Sequence, residues 1–252
     1  MAGVTWGRFD EALTPAFWAA RAAIETQPER QGRFRLGYDL REEVAACLLG
    51  GHGIPAEVGL AAFERLRHEG VLKAGTDRRV LYALLSRPLS VGNRTVHYRF
   101  ARQKSTYLAD SLRILEAIRP LPTDARGFRD ALLALPGVGR KTASWITRNT
   151  SGTDDVAILD IHICRACEAA RVFPAGSNPA REYPALESRF VEFARAISVR
   201  ASVLDSLMWR TMRRFSKIFP SLVRQGATRP VRAGVFSRHV GLGRRWLRRT
   251  YS

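Results

Sequence analysis

Two side chains in the middle of the chain, Lys141 and Asp160, are of types that could act together on an electrophilic carbon. An uncharged lysine amine attacks electrophilic carbon, and a fixed carboxylate stabilises positive charge that develops beside it. Lys141 follows a glycine-rich turn in "LPGVGRKTA", and Asp160 ends the apolar run "VAILD". The elements that carry these two residues therefore decide whether their side chains can meet.

The turn before Lys141 has the features of an anion-binding site. Gly137 and Gly139 lack a Cβ, allow positive φ and let an oxygen approach the backbone amides closely. The helix that follows has unpaired N–H groups at its start, and its dipole favours a negative charge there. We expect phosphate binding, with a tight connector as the alternative; Arg140 is either a second phosphate contact or a solvated charge.

Each candidate residue also has a purely structural interpretation. A surface lysine is normally a solvated cation, although the helix start and the neighbouring Arg140 both disfavour protonation of Lys141. Asp160 is well placed to cap the helix that begins at Ile161. We interpret His162 as a structural residue bonded to a backbone carbonyl. Asp154 and Asp155, in a polar loop, are interpreted as solvated.

Composition indicates a globular protein with a polyanionic partner. The 252 residues carry 41 Lys+Arg against 23 Asp+Glu, a net charge of +18, which favours nucleic acid first and an anionic membrane surface second. No apolar run approaches the roughly 20 residues that span a bilayer. The three cysteines, Cys47, Cys164 and Cys167, favour a reduced intracellular setting, and apolar packing accounts for the last two.

Helical periodicity dominates the chain, which predicts an all-α fold of about ten helices joined by short turns. A short helix over 128–135 should precede the glycine turn and stop at Pro136. No clean alternating strand pattern is visible, and "VAILD" could be an extended lead-in to the next helix. The last stretch, 221–252, is arginine-rich and has the composition of a segment that is irregular until bound.

The string "LPGVGRKTA", followed by Asp160 in "ILDIHI", resembles the helix-hairpin-helix DNA glycosylase superfamily, which includes endonuclease III. The stretches "KTASWITRN", "VAILDIHI" and "YRFARQKSTYL" look closest to the archaeal and bacterial 8-oxoguanine DNA glycosylase/AP lyases. The resemblance implies two helical subdomains that flank an active-site cleft. One is a central bundle, 41–150, that ends in the hairpin; the other combines 1–40 with 151–220, followed by the tail 221–252.

The resemblance also implies a mechanism. Lys141 would attack C1′ of the damaged nucleotide and form a Schiff base that permits β-elimination, and Asp160 would stabilise the developing positive charge. Gly137, Gly139 and Arg140 would contact DNA phosphate. The chemistry requires no cofactor, and three cysteines cannot build the four-cysteine iron–sulfur loop of many relatives, so we predict no metal.

The base pocket is the least determined part of the resemblance. Trp209, in "LDSLMWRTMRRFSKIF", matches the family's C-terminal helix that contacts the damaged base, whereas Phe100 and Tyr107 could equally be core residues. His52, in "GGHGIP", stands where the family tends to place base-probing polar residues.

The expected partner is duplex DNA with a damaged base, most simply 8-oxoguanine, bound by a monomer in the cytoplasm and not at a membrane. The alternatives are a glycosylase for another modified base, such as an oxidised pyrimidine, and a nonenzymatic helix-hairpin-helix DNA-binding module.

Overall fold

The regular secondary structure of the described residues is almost entirely α-helical, which confirms the all-α prediction. A computed structural model describes residues 1, 3–24, 34–51, 53–118 and 120–218; His52 and the arginine-rich tail 221–252 lie outside the described residues. The helices are α1 (Pro15–Ile24), α2 (Leu40–Leu49), α3 (Ala56–His68), α4 (Arg78–Ser86), α5 (Ala101–Ala117), α6 (Ala125–Ala131), α7 (Arg140–Ser151), α8 (Ile161–Ala169), α9 (Pro179–Ala196) and α10 (Ala201–Ile218).

The helices bury two separate apolar cores. The first core is formed by α2 to α5 with the start of α7, and fully buried Leu48, Phe63 and Leu112 represent it. The second core is formed by α1, α8, α9 and α10, with Trp18 and Phe190 at its centre. The helix that carries Lys141 therefore packs on one core, and the segment that carries Asp160 packs on the other.

The helix before the glycine turn differs from the predicted span of 128–135. It begins earlier, as α6 (Ala125–Ala131), because the Asp124 carboxylate caps it and accepts a hydrogen bond from the Gly127 amide at 2.7 Å. Its last turn tightens into a 3-10 helix, Leu132–Ala134, which ends just before Pro136. The chain thus still stops at the proline, but by a tighter turn than an α-helix provides.

A small antiparallel hairpin lies between α4 and α5, where no strand was expected. Strand β1 (Leu89–Val91) pairs with β2 (Arg94–Val96) across a two-residue Gly-Asn turn. Gly92 adopts φ +57°, the left-handed conformation that favours glycine in such turns. The signal was present as "VGNR", but three-residue strands are too short to show an alternating pattern.

The loop after α7 is held by Asp154, which is therefore not simply solvated. Its carboxylate accepts hydrogen bonds from Ser202, at 2.9 Å from the amide and 2.6 Å from the hydroxyl, and from Arg200 Nε at 2.8 Å. Partial burial alone would raise the pKa of Asp154, but these donors lower it. Asp154 thus ties the chain between α7 and α8 to the start of α10.

A buried ion pair also joins the two cores. Arg148 on α7 is paired with Asp205 on α10, and both side chains are buried. Burial raises the pKa of Asp205 to about 6, although Arg148 opposes the shift. The contact fixes α7 against α10.

None of the described helices combines the length and apolar character needed to cross a membrane.

Candidate active site

The glycine turn uses its two glycines for different reasons. Gly137 has φ +76°, and an added Cβ would lie 2.3 Å from the Tyr107 ring. Gly139 has an ordinary φ of −90°, and an added Cβ would meet nothing within 4 Å. Both are exposed. Gly137 is therefore needed to build the turn, whereas the space beside Gly139 is open to a ligand.

This difference predicts opposite phenotypes for two matched substitutions. We expect Gly137→Ala to lower the free energy of unfolding by about 1–3 kcal/mol, because it combines a strained φ with overlap on Tyr107. Gly139→Ala should leave the free energy of unfolding unchanged and weaken DNA binding. The added methyl group would occupy the open space in which we expect a DNA phosphate. Denaturant unfolding and a DNA-binding titration measure the two effects; equal destabilisation by both would contradict this division of roles.

The start of α7 is an open helix end next to Lys141. Gly139 is its N-cap and supplies no side chain to cap the first amides. Arg140 is exposed and lies 3.7 Å from the Asp130 carboxylate, so it already has a weak counter-ion. Lys141 is half-buried on the first turn. One turn later Trp145 approaches Gly50, where an added Cβ would lie 3.2 Å from the indole.

Asp160 caps α8 and still has a carboxylate oxygen to spare. Oδ1 accepts hydrogen bonds from the amides of His162 at 2.8 Å and Ile163 at 2.9 Å. Oδ2 has no hydrogen-bond partner within the described ranges. The cap interpretation is thus confirmed, and the capping hydrogen bonds use only one of the two carboxylate oxygens.

The extended segment before Asp160 is held by two side chains of α9. Tyr183 donates a hydrogen bond to the Ala157 carbonyl at 2.7 Å and accepts one from the Leu159 amide at 3.3 Å. Glu187 accepts from the Ala157 amide at 3.1 Å. The Ala157 amide and carbonyl and the Leu159 amide are therefore satisfied by side chains instead of a neighbouring strand.

Glu187 also connects this segment to the helix of Lys141. Its carboxylate accepts a hydrogen bond from the Ser144 hydroxyl at 3.2 Å, and Ser144 lies one turn after Lys141 on α7. Buried Arg129 on α6 pairs with Glu187 and balances its charge. Sequence analysis did not identify Glu187, because its partners are distant in the chain and its spacing resembles that of a surface residue.

The His162 ring is half-buried and is influenced by several charged side chains. Burial lowers the pKa of His162; the Asp160 carboxylate opposes the shift, and the cations Arg165, Arg213 and Lys141 add to it. His162 also donates its amide to Asp160 Oδ1 at 2.8 Å, so this histidine lies directly beside the capping carboxylate. Its Nδ1 is buried with no partner among the described residues, contrary to the expected bond to a carbonyl.

Of the tentative base-pocket residues, Phe100 lies against the turn over 50–55, whereas His52 lies outside the described residues. Phe100 packs on the first core and faces Gly53, where an added Cβ would lie 3.6 Å from its ring. Trp209 packs on the second core, and Arg213 stacks 5.1 Å above its ring. Arg213 also lies 3.6 Å from Glu57. Base contact by Phe100, Trp209 or His52 stays a prediction.

The three cysteines are free and buried. Burial raises the pKa of Cys164 to about 12, which disfavours the thiolate that a metal would bind. Within the described ranges, no group of three or more His, Cys, Asp or Glu side chains could hold a metal ion.

Comparison with known proteins gives one family and several similar folds. A family model described as 8-oxoguanine DNA glycosylase matches residues 35–199. The 8-oxoguanine DNA glycosylase of Thermotoga maritima is 24% identical and superimposes with a TM-score of 0.60, covering 77% of this chain and 95% of that one. The enzyme of Methanocaldococcus jannaschii gives 20% identity, a TM-score of 0.60 and coverage of 77% and 92%.

A second structure of the Methanocaldococcus jannaschii protein, described as an 8-oxoguanine glycosylase/lyase in complex with a 15mer DNA containing 8-oxoguanine, is also similar. It is 24% identical, with a TM-score of 0.54 and coverage of 68% of this chain and 79% of that one. At these identities the superpositions establish a shared fold. The family match, by contrast, extends over the whole stretch that carries the turn, Lys141 and Asp160.

Proposed function

Because the chain belongs to the 8-oxoguanine DNA glycosylase family, we propose that it removes 8-oxoguanine from duplex DNA and then cleaves the strand through Lys141. The observation that carries this proposal is that Glu187 bridges the helix of Lys141, through Ser144, and the segment that leads to Asp160, through the Ala157 amide. A cleft between the cores would hold the sugar, with an amine on one side and a carboxylate on the other.

Asp160 assists the first step, the loss of the damaged base. As the bond between the base and C1′ breaks, positive charge develops on C1′ and the ring oxygen of the sugar. The Asp160 oxygen that is not used in capping α8 stabilises this charge electrostatically. Because the cap already fixes the carboxylate, Asp160 need not move as the transition state forms.

Lys141 supplies the nucleophile. Its uncharged amine forms a bond to C1′ as the base departs with the electron pair of the broken bond. Opening of the sugar ring then gives an imine between Nζ and C1′, which acidifies the proton on C2′. Loss of this proton expels the 3′ phosphate and cleaves the strand. The amine and the carboxylate suffice for these steps, so no cofactor is needed.

The glycine turn positions the DNA backbone for this chemistry. The uncapped start of α7 and the open space beside Gly139 suit a phosphate oxygen, and the helix dipole adds a favourable charge interaction. Such contacts hold the backbone without reading sequence. They place a phosphate within one helical turn of Lys141.

The protein acts, on this proposal, as a monomer on duplex DNA in the cytoplasm. The three buried free thiols are consistent with a reducing compartment.

A panel of lesion duplexes tests the proposed function. Duplexes carry 8-oxoguanine, oxidised thymine, an abasic site or no damage, each with every opposite base, and products are separated on denaturing gels with and without alkali. We expect 8-oxoguanine to be excised faster than oxidised thymine by about 100-fold or more, with strand cleavage that needs no alkali. If 8-oxoguanine is untouched while oxidised thymine is cut, the assigned substrate is wrong.

A further inference from the structure

We propose that the protein holds duplex DNA at a second surface, formed by α4, the β1–β2 hairpin and the start of α5, which contacts the flank of the damaged site. This surface, the arginine arm, spans 78–102 and carries six arginines: Arg78, Arg79, Arg87, Arg94, Arg99 and Arg102. The inference rests on the proposed function, because the partner is the duplex that contains the lesion.

The first observation is the charge of this part of the chain. The arginine arm contains no Asp or Glu, although the whole protein has 23 acidic residues. A face that is merely solvated usually mixes charges of both signs. Six cations without a carboxylate between them repel one another, and a polyanion removes this repulsion when it binds. The composition of the arm therefore indicates a phosphate-rich partner.

The second observation is that the guanidinium groups are available. All six side chains are exposed. Among the described residues none of them forms an ion pair, whereas exposed Arg8, Arg195 and Arg200 each lie within 4 Å of a carboxylate. DNA phosphates would consequently meet cations that need not first leave a carboxylate; Arg99 alone of the six also stacks on a ring, that of Phe100.

The third observation is that the arm is continuous with the proposed active site. Arg99 lies 5.1 Å above the Phe100 ring, and Phe100 faces Gly53 in the turn between α2 and α3. Further along α5, Gln103 donates a hydrogen bond at 3.1 Å to the hydroxyl of Tyr107, whose ring contacts the Gly137 turn. The arm thus starts beside the proposed phosphate-binding turn.

The fourth observation is that the hairpin is held firmly at its base. Arg65 on α3 donates hydrogen bonds to the carbonyls of Leu84 at 3.1 Å, Arg87 at 2.8 Å and Pro88 at 2.6 Å. Buried Leu89 begins β1, and Arg94 follows the turn on the exposed side. Three-residue strands reach about 10 Å, a length comparable to about three base pairs. A rigid projection of this size suits contact with the flanking backbone.

The salt dependence of DNA binding tests the arm. The variant Arg78→Ser/Arg79→Ser/Arg94→Ser is compared with Arg113→Ser/Arg171→Asn/Arg181→Ser, which removes three exposed arginines elsewhere; asparagine suits the positive φ of Arg171. Affinity for a 30-base-pair duplex is measured across salt concentrations. We expect the arm variant to bind about 10- to 100-fold more weakly than the parent protein at low salt. The slope of log affinity against log salt concentration should fall in magnitude by up to about 0.9 for each phosphate contact removed. The control variant should bind as the parent protein does.

Single-turnover excision at saturating enzyme separates this proposal from the proposed function. The arm variant should excise 8-oxoguanine at the parent rate, because Lys141 and Asp160 are intact. Absence of excision in the parent protein would refute the proposed function alone. An unchanged salt slope, or an equal change in the control variant, would refute the arm as a binding surface.

A crosslinking measurement provides a second and direct readout. Asn93, exposed at the tip of the hairpin, is changed to Cys and labelled with a photoreactive group; the three native cysteines are buried. We expect crosslinks to a lesion duplex at nucleotides on one side of the lesion only. The same label on Arg181→Cys serves as the control. If Asn93→Cys gives no crosslink, or crosslinks spread evenly along the duplex, the proposal is wrong.

Discussion

Lys141→Gln should give no stable protein–DNA adduct when borohydride is added to the protein and lesion-containing DNA. Glutamine retains much of the length and polarity of lysine but cannot form an imine, so the covalent intermediate has no route to form. We also expect strand cleavage at a preformed abasic site to fall on the order of 10³-fold or more. Adducts are measured by denaturing electrophoresis of labelled DNA.

The matched control for this substitution is Lys104→Gln. Lys104 is a half-buried lysine on α5, and burial lowers its pKa, which makes its amine a competing nucleophile. The Lys104 variant should trap DNA as the parent does. An undiminished adduct in the Lys141 variant, especially with a loss in the Lys104 variant, would falsify the assignment of Lys141 as nucleophile.

Asp160→Asn should fold and bind DNA but release the damaged base about 100- to 1000-fold more slowly. Asparagine caps helices nearly as well as aspartate, so the amides of His162 and Ile163 keep an acceptor while the negative charge is lost. Single-turnover excision measures base release, and thermal unfolding with a binding titration measures the rest.

Asp124→Asn is the matched control for the charge, because Asp124 caps α6 in the same way at a distance from the cleft. It should excise the base at the parent rate. Equal turnover of the Asp160 variant and the parent would leave Asp160 with a capping role only. A large loss of stability in the Asp160 variant would instead show that the charge is needed for the fold.

Local patterns made the central features predictable. The glycine turn, the helix start at Arg140 and the cap at Asp160 each depend on residues within a few positions of one another, so their geometry is present in the sequence. The all-α fold followed for the same reason, from apolar periodicity. The short hairpin and the 3-10 turn before Pro136 were missed because three residues are too few to define a period.

Long-range contacts account for what could not be predicted. Burial lowers the pKa of His162, with smaller effects from cations that include Arg213 and Lys141 on other helices, and its buried Nδ1 has no partner among the described residues, so an ordinary carbonyl partner was the wrong expectation. Asp154 is similar: its position in a polar loop suggested solvation, but its partners, Ser202 and Arg200, belong to the start of α10. Only the folded chain brings these residues together.

Glu187 gives the proposed reaction a preorganised frame. The Glu187 carboxylate is neutralised by Arg129 and accepts two further hydrogen bonds. One comes from Ser144, on the helix of Lys141, and the other from the Ala157 amide, in the extended segment that leads to Asp160. The separation between amine and carboxylate is then set when the protein folds, before any nucleotide arrives. On the proposed mechanism, the sugar must therefore fit between a helix and a segment that Glu187 already holds together, and the backbone need not rearrange when DNA binds.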